Sequence, residues 1–462
     1  MNAMENNDKN NNNGTKKFIT TEELKKHDKP GDLWVSIHGK VYDVSDWVYR
    51  HPGGEYPLLS LAGQDVTDAF LAYHPAIAAH HLQRFFNGYY VSDHQVSEVS
   101  KDYRMLVSEF SRMGLFEKKG HLVSYYAAAL SAMFLVSLYG VVFMESVWAH
   151  MGSAVLVGFL WIQAGWVGHD SGHYDVMKTK KLSRAAQLLA GNCLTGVSIW
   201  WWRWNHNAHH IACNVVDYDP DVQLLPIFAF SNKLFRSSLI SHFYEKPMSF
   251  NSLARFLVSY QHWTFYPVML LIARINMFIQ SWKTVLFKKK IFANRAQEIL
   301  GLIIFWVWYP FLLSSLPNHS ERIMFVVLSL MMTGVQQIQF SLNHLASSFF
   351  AGPLTGKDWV EKQIDGTLDI DCSPWMDWFH GGLQFQIEHH LFPRMPRCQL
   401  RKVSPFVKQL CEKHGIAYNH ASFWAANALM FKSIRDAALM ARDLSPEKAP
   451  KNLVWEALNS FG

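Results

Sequence analysis

The chain is short of charge. Only 17% of its 462 residues are Asp, Glu, Lys or Arg, against roughly 25% in ordinary soluble domains. Half the residues are hydrophobic and 15% aromatic, and the apolar ones gather after position 120, which predicts a soluble front and a membrane body. Cysteine is also scarce. The five present, Cys193, Cys213, Cys372, Cys398 and Cys411, are odd in number and show no Cys-x-x-Cys spacing. That argues against a disulfide framework or a cysteine zinc site and fits a reducing compartment. No Gly-x-Gly-x-x-Gly dinucleotide fingerprint is present. The first fifteen residues lack the apolar core of a signal peptide, so a polar, disordered tail is expected over 1–15. The net charge of +6 is scattered beside apolar runs rather than gathered into a basic patch with aromatic partners. No nucleic-acid partner is expected.

Four apolar runs, about 122–143, 151–168, 299–316 and 323–345, approach the roughly 20 residues that cross a bilayer as a helix. A fifth, about 257–281, carries Gln261, His262, Arg274, Asn276 and Gln280 and is the most polar. It is predicted to be an interfacial or buried helix rather than a span. The loop at 282–298 holds Lys283, Lys288, Lys289, Lys290 and Arg295, which puts it on the cytosolic side by the positive-inside rule. Both termini then fall on that side as well.

Against this background stand eight histidines. They read His-Asp-Ser-Gly-His (His169, His173), His-Asn-Ala-His-His (His206, His209, His210) and Gln-Ile-Glu-His-His (Gln386, His389, His390), with His344 alone between the last two. Spacings of three and four put side chains on one helix face, and neutral imidazole suits iron, copper, zinc and nickel. If the second and third clusters share one site they lie on one membrane face, and an even number of crossings separates them. Asp170, Asp217, Asp219, Asp221, Asp377 and Glu388 are candidates to orient the imidazoles through their far nitrogen. The Glu-x-x-His pairs of soluble di-iron bundles are absent at the clusters. Sequence and setting point to a membrane-embedded di-iron oxygenase. His262 and His380 read as satisfied polar groups rather than ligands. Trp200, Trp201, Trp202 and Trp204 read as interfacial anchors or core, with a tunnel lining as the alternative.

The front of the chain carries short alternating strands at 33–37 and 40–44 with Gly39 between them, then His51-Pro52-Gly53-Gly54, Asp65-Val66-Thr67-Asp68-Ala69-Phe70 and His74. Over about 80 residues this resembles cytochrome b5. The resemblance implies haem b held axially by His51 and His74, a closed coordination suited to electron transfer.

With that domain attached, the order and spacing of the three clusters resemble the membrane fatty-acyl desaturases of the front-end type, in which glutamine opens the third cluster as Gln386 does here. The expected fold is an α+β cytochrome b5 domain (16–98), a linker (99–120) and an all-α integral membrane domain (121–462). The membrane domain would have about four transmembrane helices and a cytosolic helical cap holding the di-iron site. The resemblance implies His169, His173, His206, His209, His210, His344, His389 and His390 as iron ligands. Gln386 would ligate through oxygen or act from behind a ligand, and Asn343 would be a weaker, water-mediated candidate.

Reducing O2 to two waters takes four electrons. Desaturation supplies two, and the family draws the other two from NADH through a separate cytochrome b5 reductase and the fused haem to two non-haem irons. The endoplasmic reticulum membrane is the implied location, with the active site cytosolic. The expected reaction is a cis Δ6 double bond in linoleoyl or α-linolenoyl chains of membrane lipids, with Asn205, His380 and Ile387 as the local pointers. The alternative is a Δ8 sphingolipid long-chain-base desaturase. An acyl hydroxylase and a non-enzymatic haem-binding membrane adaptor stand further off.

Overall fold

The computed structural model describes residues 16–91, 96–118, 120–236, 238–288 and 294–443. The tail predicted over residues 1–15 lies outside them, as do Lys289 and Lys290 of the basic loop.

The front domain is built on a five-stranded mixed sheet of β1 (Phe18–Ile19), β2 (Asp28–Lys29), β3 (Asp32–Ile37), β4 (Lys40–Asp43) and β5 (Phe86–Tyr90), in the order β1-β5-β4-β3-β2. Gly39, at φ 70°, turns the chain between β3 and β4, a conformation open to glycine without steric cost. Leu33, Val35 and Ile37 face inward, so the period-two pattern marks the buried side. The helix Thr67–Tyr73 and shorter turns close a cavity above the sheet.

The stretch expected to link the two halves is mostly the helix Glu98–Arg112, capped by the Ser97 side chain. Its buried stripe, Val99, Tyr103, Val107 and Phe110, belongs to one apolar core that runs from Leu33 and Val35 of the sheet to Ile387, Phe392 and Val403 near the third histidine cluster. Polar contacts pin it on both sides. Ser100 Oγ and Arg104 Nε donate to opposite oxygens of Asp68, each at 2.6 Å, and Tyr103 donates to the Leu391 carbonyl at 2.8 Å. The two halves are therefore packed together by a shared core.

Among the described residues four helices are long and apolar enough to cross a membrane: Leu122–Val142, Val147–His173, Arg295–Ser315 and His319–Leu345. At 1.5 Å per residue the two 27-residue helices reach about 40 Å, more than the roughly 30 Å of hydrocarbon. One end of each thus has helix to spare, and both carry histidine there. The pair packs closely because Gly158 removes a side chain: a Cβ there would lie 2.6 Å from the Ser329 carbonyl oxygen. Small residues allow such approach between membrane helices. The polar run predicted over 257–281 is not one helix. It breaks at Tyr260 and Ile272 into Ser252–Ser259, Gln261–Leu271 and Ala273–Phe287, with Gln261, His262 and Arg274 buried and none of the three among the candidate spans.

Candidate metal centre and haem cavity

The helix Val147–His173 brings His169 and His173 in on its last turn, and His319–Leu345 brings His344 in on its own. The second cluster rides on Ile199–Ile211, capped at its start by Ser198, and the third on the short buried helix Gln386–Leu391. All eight histidines meet in one place. Possible ligand atoms of His169, His173, His206 and His389 lie within 4.8 Å of one another, and so do those of His209, Cys213, His344 and His390. His210 stands between these groups, its ring centroid 4.7 Å from that of His173 and 4.1 Å from that of His390.

The far nitrogens are held as metal ligands require. His209 Nδ1 donates to Asp219 at 2.9 Å and His390 Nδ1 to the Gln363 side chain at 2.7 Å. Their Nε2 atoms are thereby left for the interior. Nε2 of His169, His173, His389 and His390 is buried without a hydrogen-bond partner, a costly state for polar atoms unless something binds them. Burial holds His206, His210, His389 and His390 far below the ordinary imidazole range, in the neutral form that binds cations. Burial acts the same way on His209, yet the Asp219 carboxylate prevails and raises it to about 9. A metal at His209 would displace a proton. The donor set fits two imidazole-bound irons.

Of the six carboxylates expected to orient imidazoles, Asp219 does so through a hydrogen bond, and Asp170 lies 3.5 Å from His169 Nδ1. Asp221 lies 3.8 Å from His209 Nδ1, with Asn205 donating to it. Asp170 is itself held by Arg397 at 2.7 Å. The other three have different partners: Asp217 accepts from the Gly352 N–H, Asp377 from Arg401 and Gln384, and Glu388 from Tyr418. Gln386 faces His344, with its Nε2 2.9 Å from the imidazole Nε2 and its Oε1 buried without a partner. Asn343 donates to the Leu368 carbonyl at 2.6 Å. Cys213 is the member that sequence reasoning missed: its Sγ lies 3.6 Å from His344 Nδ1. The signal was its position four residues after His209. Trp202 stacks on His206 with centroids 4.3 Å apart, so this tryptophan packs against the site.

Removing the orienting carboxylate gives a direct check. Asp219→Asn is expected to weaken iron retention by about 10- to 100-fold, measured by chelator competition on the purified chain. Unchanged retention would mean that Asp219 does not govern His209.

His51 and His74 face each other across a 640 Å³ cavity, with ring centroids 5.8 Å apart. His51 Nδ1 donates to the Gly54 carbonyl at 2.8 Å and His74 Nδ1 to the Phe70 carbonyl at 3.1 Å. Both Nε2 lone pairs are thus left facing the cavity, where they would hold a haem iron. Burial lowers both imidazoles, His74 to about 4. The apolar walls (Val35, Val66, Phe70) and paired imidazoles suit haem. The cavity is closed on its far side by His173, Arg203 and Arg394 of the membrane half. One histidine of the metal groups is therefore also a wall of the haem cavity.

A membrane-bound helical body, histidine-lined metal groups and an abutting haem cavity define a membrane oxidoreductase. Residues 146–422 match the fatty acid desaturase family and residues 20–91 the cytochrome b5-like heme/steroid binding domain. The chain is 60% identical to the acyl-lipid (9-3)-desaturase of Borago officinalis, covering 97% of this chain and 99% of that one. It is 58% identical to Delta(8)-fatty-acid desaturase 2 of Arabidopsis thaliana, with the same shares covered, and 54% identical to the Delta(8)-fatty-acid desaturase of Borago officinalis, covering 97% and 100%. The chain belongs to the fatty acid desaturase family, in its front-end form with an N-terminal cytochrome b5 domain. It is a lipid-desaturating membrane enzyme.

Proposed function

We propose that the enzyme inserts a cis Δ6 double bond into linoleoyl and α-linolenoyl chains of membrane lipids, using O2 and electrons from NADH through a separate cytochrome b5 reductase. The observation that carries the redox part of this reading is His173, common to the haem cavity and the metal groups. When bound, haem and two irons supply one-electron transfer and the oxidising power to remove two hydrogens from an unactivated chain. In this reading His51 and His74 hold the haem, and His169, His173, His206, His209, His210, His344, His389 and His390 hold iron. Gln386 completes the His344 side: turning its amide over presents Oε1 in place of Nε2. Asp219 and Gln363 keep the protons of His209 and His390 on Nδ1. The division into 16–98, 99–120 and 121–462 accompanies it.

Location in the endoplasmic reticulum, with both termini and all histidines cytosolic, is part of the same reading. The two long helices deliver their C-terminal turns to one site, as an even number of crossings between clusters demands. Support for the Δ6 position is the 60% identity to an acyl-lipid (9-3)-desaturase, together with Asn205, His380 and Ile387. A second reading is Δ8 desaturation of sphingolipid long-chain bases. Its Δ8 position is favoured by relatives named Delta(8)-fatty-acid desaturases at 53–58% identity, and its lipid class by relatives named Delta 8-(E)-sphingolipid desaturases at 32–34%.

Expression in yeast supplied with linoleate separates the two. The expected product is a new Δ6 bond in the fatty acyl pool, read by gas chromatography with mass spectrometry. Δ8-unsaturated long-chain bases with unchanged acyl chains would replace it with the second reading.

A further inference from the structure

Two cations from the membrane half, Arg203 and Arg394, face the haem cavity with no acidic partner among the described residues. Arg203 Nη2 donates to the Pro52 carbonyl at 3.1 Å. Arg394 donates through Nε and Nη2 to the carbonyls of Ala72 and Leu71 at 3.0 and 3.1 Å. Pro52 follows His51, and Leu71 and Ala72 precede His74, so each guanidinium is anchored beside one axial histidine. A guanidinium has five N–H donors, and these bonds leave several free on both.

The other buried or half-buried arginines near the site are neutralised. Arg104 pairs with Asp68, Arg184 with Glu298 and Arg397 with Asp170. Arg274, remote from the cavity, lies over Trp161 and Phe278 and donates to the Thr195 carbonyl. Among the described residues Arg203 and Arg394, both half-buried, have no ion pair, and charge partly withdrawn from water without a partner is unfavourable. Burial lowers the proton affinity of both, Arg394 to about 10, which a nearby anion would reverse.

Haem b carries two propionates, and two unpaired guanidiniums flank its cavity. We infer that Arg203 and Arg394 are the counter-ions of the haem propionates, so that the acidic edge of the haem is held by the membrane half and faces His173. Guanidinium matches carboxylate geometry in a two-point contact. The remaining arginine lining the cavity, Arg84, is exposed at its rim. Arg84 lies over Trp47 and Phe85, 4.5 and 4.6 Å from their centroids, and Arg394 over Phe116 at 4.8 Å, so it is exposure at the rim that sets Arg84 apart. Haem thereby ties the two halves together: its iron is held by the front domain and its carboxylates by the membrane domain.

This rests on haem occupying the cavity between His51 and His74, and wild-type protein lacking a haem spectrum would remove that reading first. The test uses the full-length chain in detergent, following haem transfer to apomyoglobin and the haem midpoint potential. Arg203→Gln with Arg394→Gln is expected to speed haem loss at least tenfold. It should also shift the reduction equilibrium toward ferric about tenfold, which is about 59 mV for a one-electron couple. Arg203→Lys with Arg394→Lys keeps the charge and should hold the potential, while Arg84→Gln should change neither readout.

Haem dimethyl ester, whose propionates are blocked, should leave wild type and the double glutamine variant equally fast. If the glutamine variant does not fold, the ester in wild type and in the lysine variant decides. Ester loss as slow as that of normal haem overturns the proposal. So does additive acceleration by ester and variant, or an Arg84→Gln effect that matches the pair.

Discussion

Replacing His389 with alanine is expected to lower desaturation by at least about 10²-fold, since even partners behind metal ligands are worth 10- to 100-fold. His389 comes from the third cluster, yet its ring centroid lies 4.7 Å from that of His169, 4.8 Å from that of His173 and 4.8 Å from that of His210. It is the contribution of the short helix Gln386–Leu391 to the first group. Its Nε2 is buried without a partner, so alanine removes a donor that nothing nearby replaces. Non-haem iron per chain should fall in parallel, while the haem absorbance, set by the separate histidine pair, should remain. Full iron content with activity within threefold of wild type would remove His389 from the ligand set.

The largest expected effect on stability is away from the metals. Glu298 is fully buried in the first turn of Arg295–Ser315. It accepts from Arg184 at 2.9 Å, Asn192 at 2.7 Å and Ser198 at 2.9 Å. Ser198 also caps Ile199–Ile211, the helix bearing the second cluster. Glu298→Ala would strand a cation and two polar groups, and breaking a buried pair costs about 3–5 kcal/mol. Arg184 keeps 25% of its side chain exposed, so the lower end, about 3 kcal/mol, is expected. Glu298→Gln should lose less, because it keeps acceptors for Asn192 and Ser198. Thermal unfolding in detergent measures both. An alanine variant as stable as wild type would show that the cluster is not structural.

Much of the site was legible because it is local. His169 with His173, and His206 with His209 and His210, are one helical turn apart, and that spacing alone puts them together. Their long apolar neighbours announced membrane helices for the same reason: a bilayer fixes length. The strands around Gly39 and the histidines of the front domain were equally readable. The break of the 257–281 run at Tyr260 and Ile272 was not, because apolar content there is compatible with one helix or several. Glu298 was invisible as well, since its partners Arg184, Asn192 and Ser198 are about 100 or more residues away.

The sequence by itself determined the donor chemistry, the membrane setting and the two-part organisation, all of which follow from residue type and short-range periodicity. Only the tertiary structure decided which donors share a group. It set Cys213 and His344 beside His209 and His390, and pointed the His209 Nδ1–H at Asp219 rather than at another of the six carboxylates. It also closed the haem cavity with His173, Arg203 and Arg394. Most of these pairings span from ten residues to more than three hundred along the chain. They are fixed by how helices of set length and one shared apolar core pack, which no local pattern encodes.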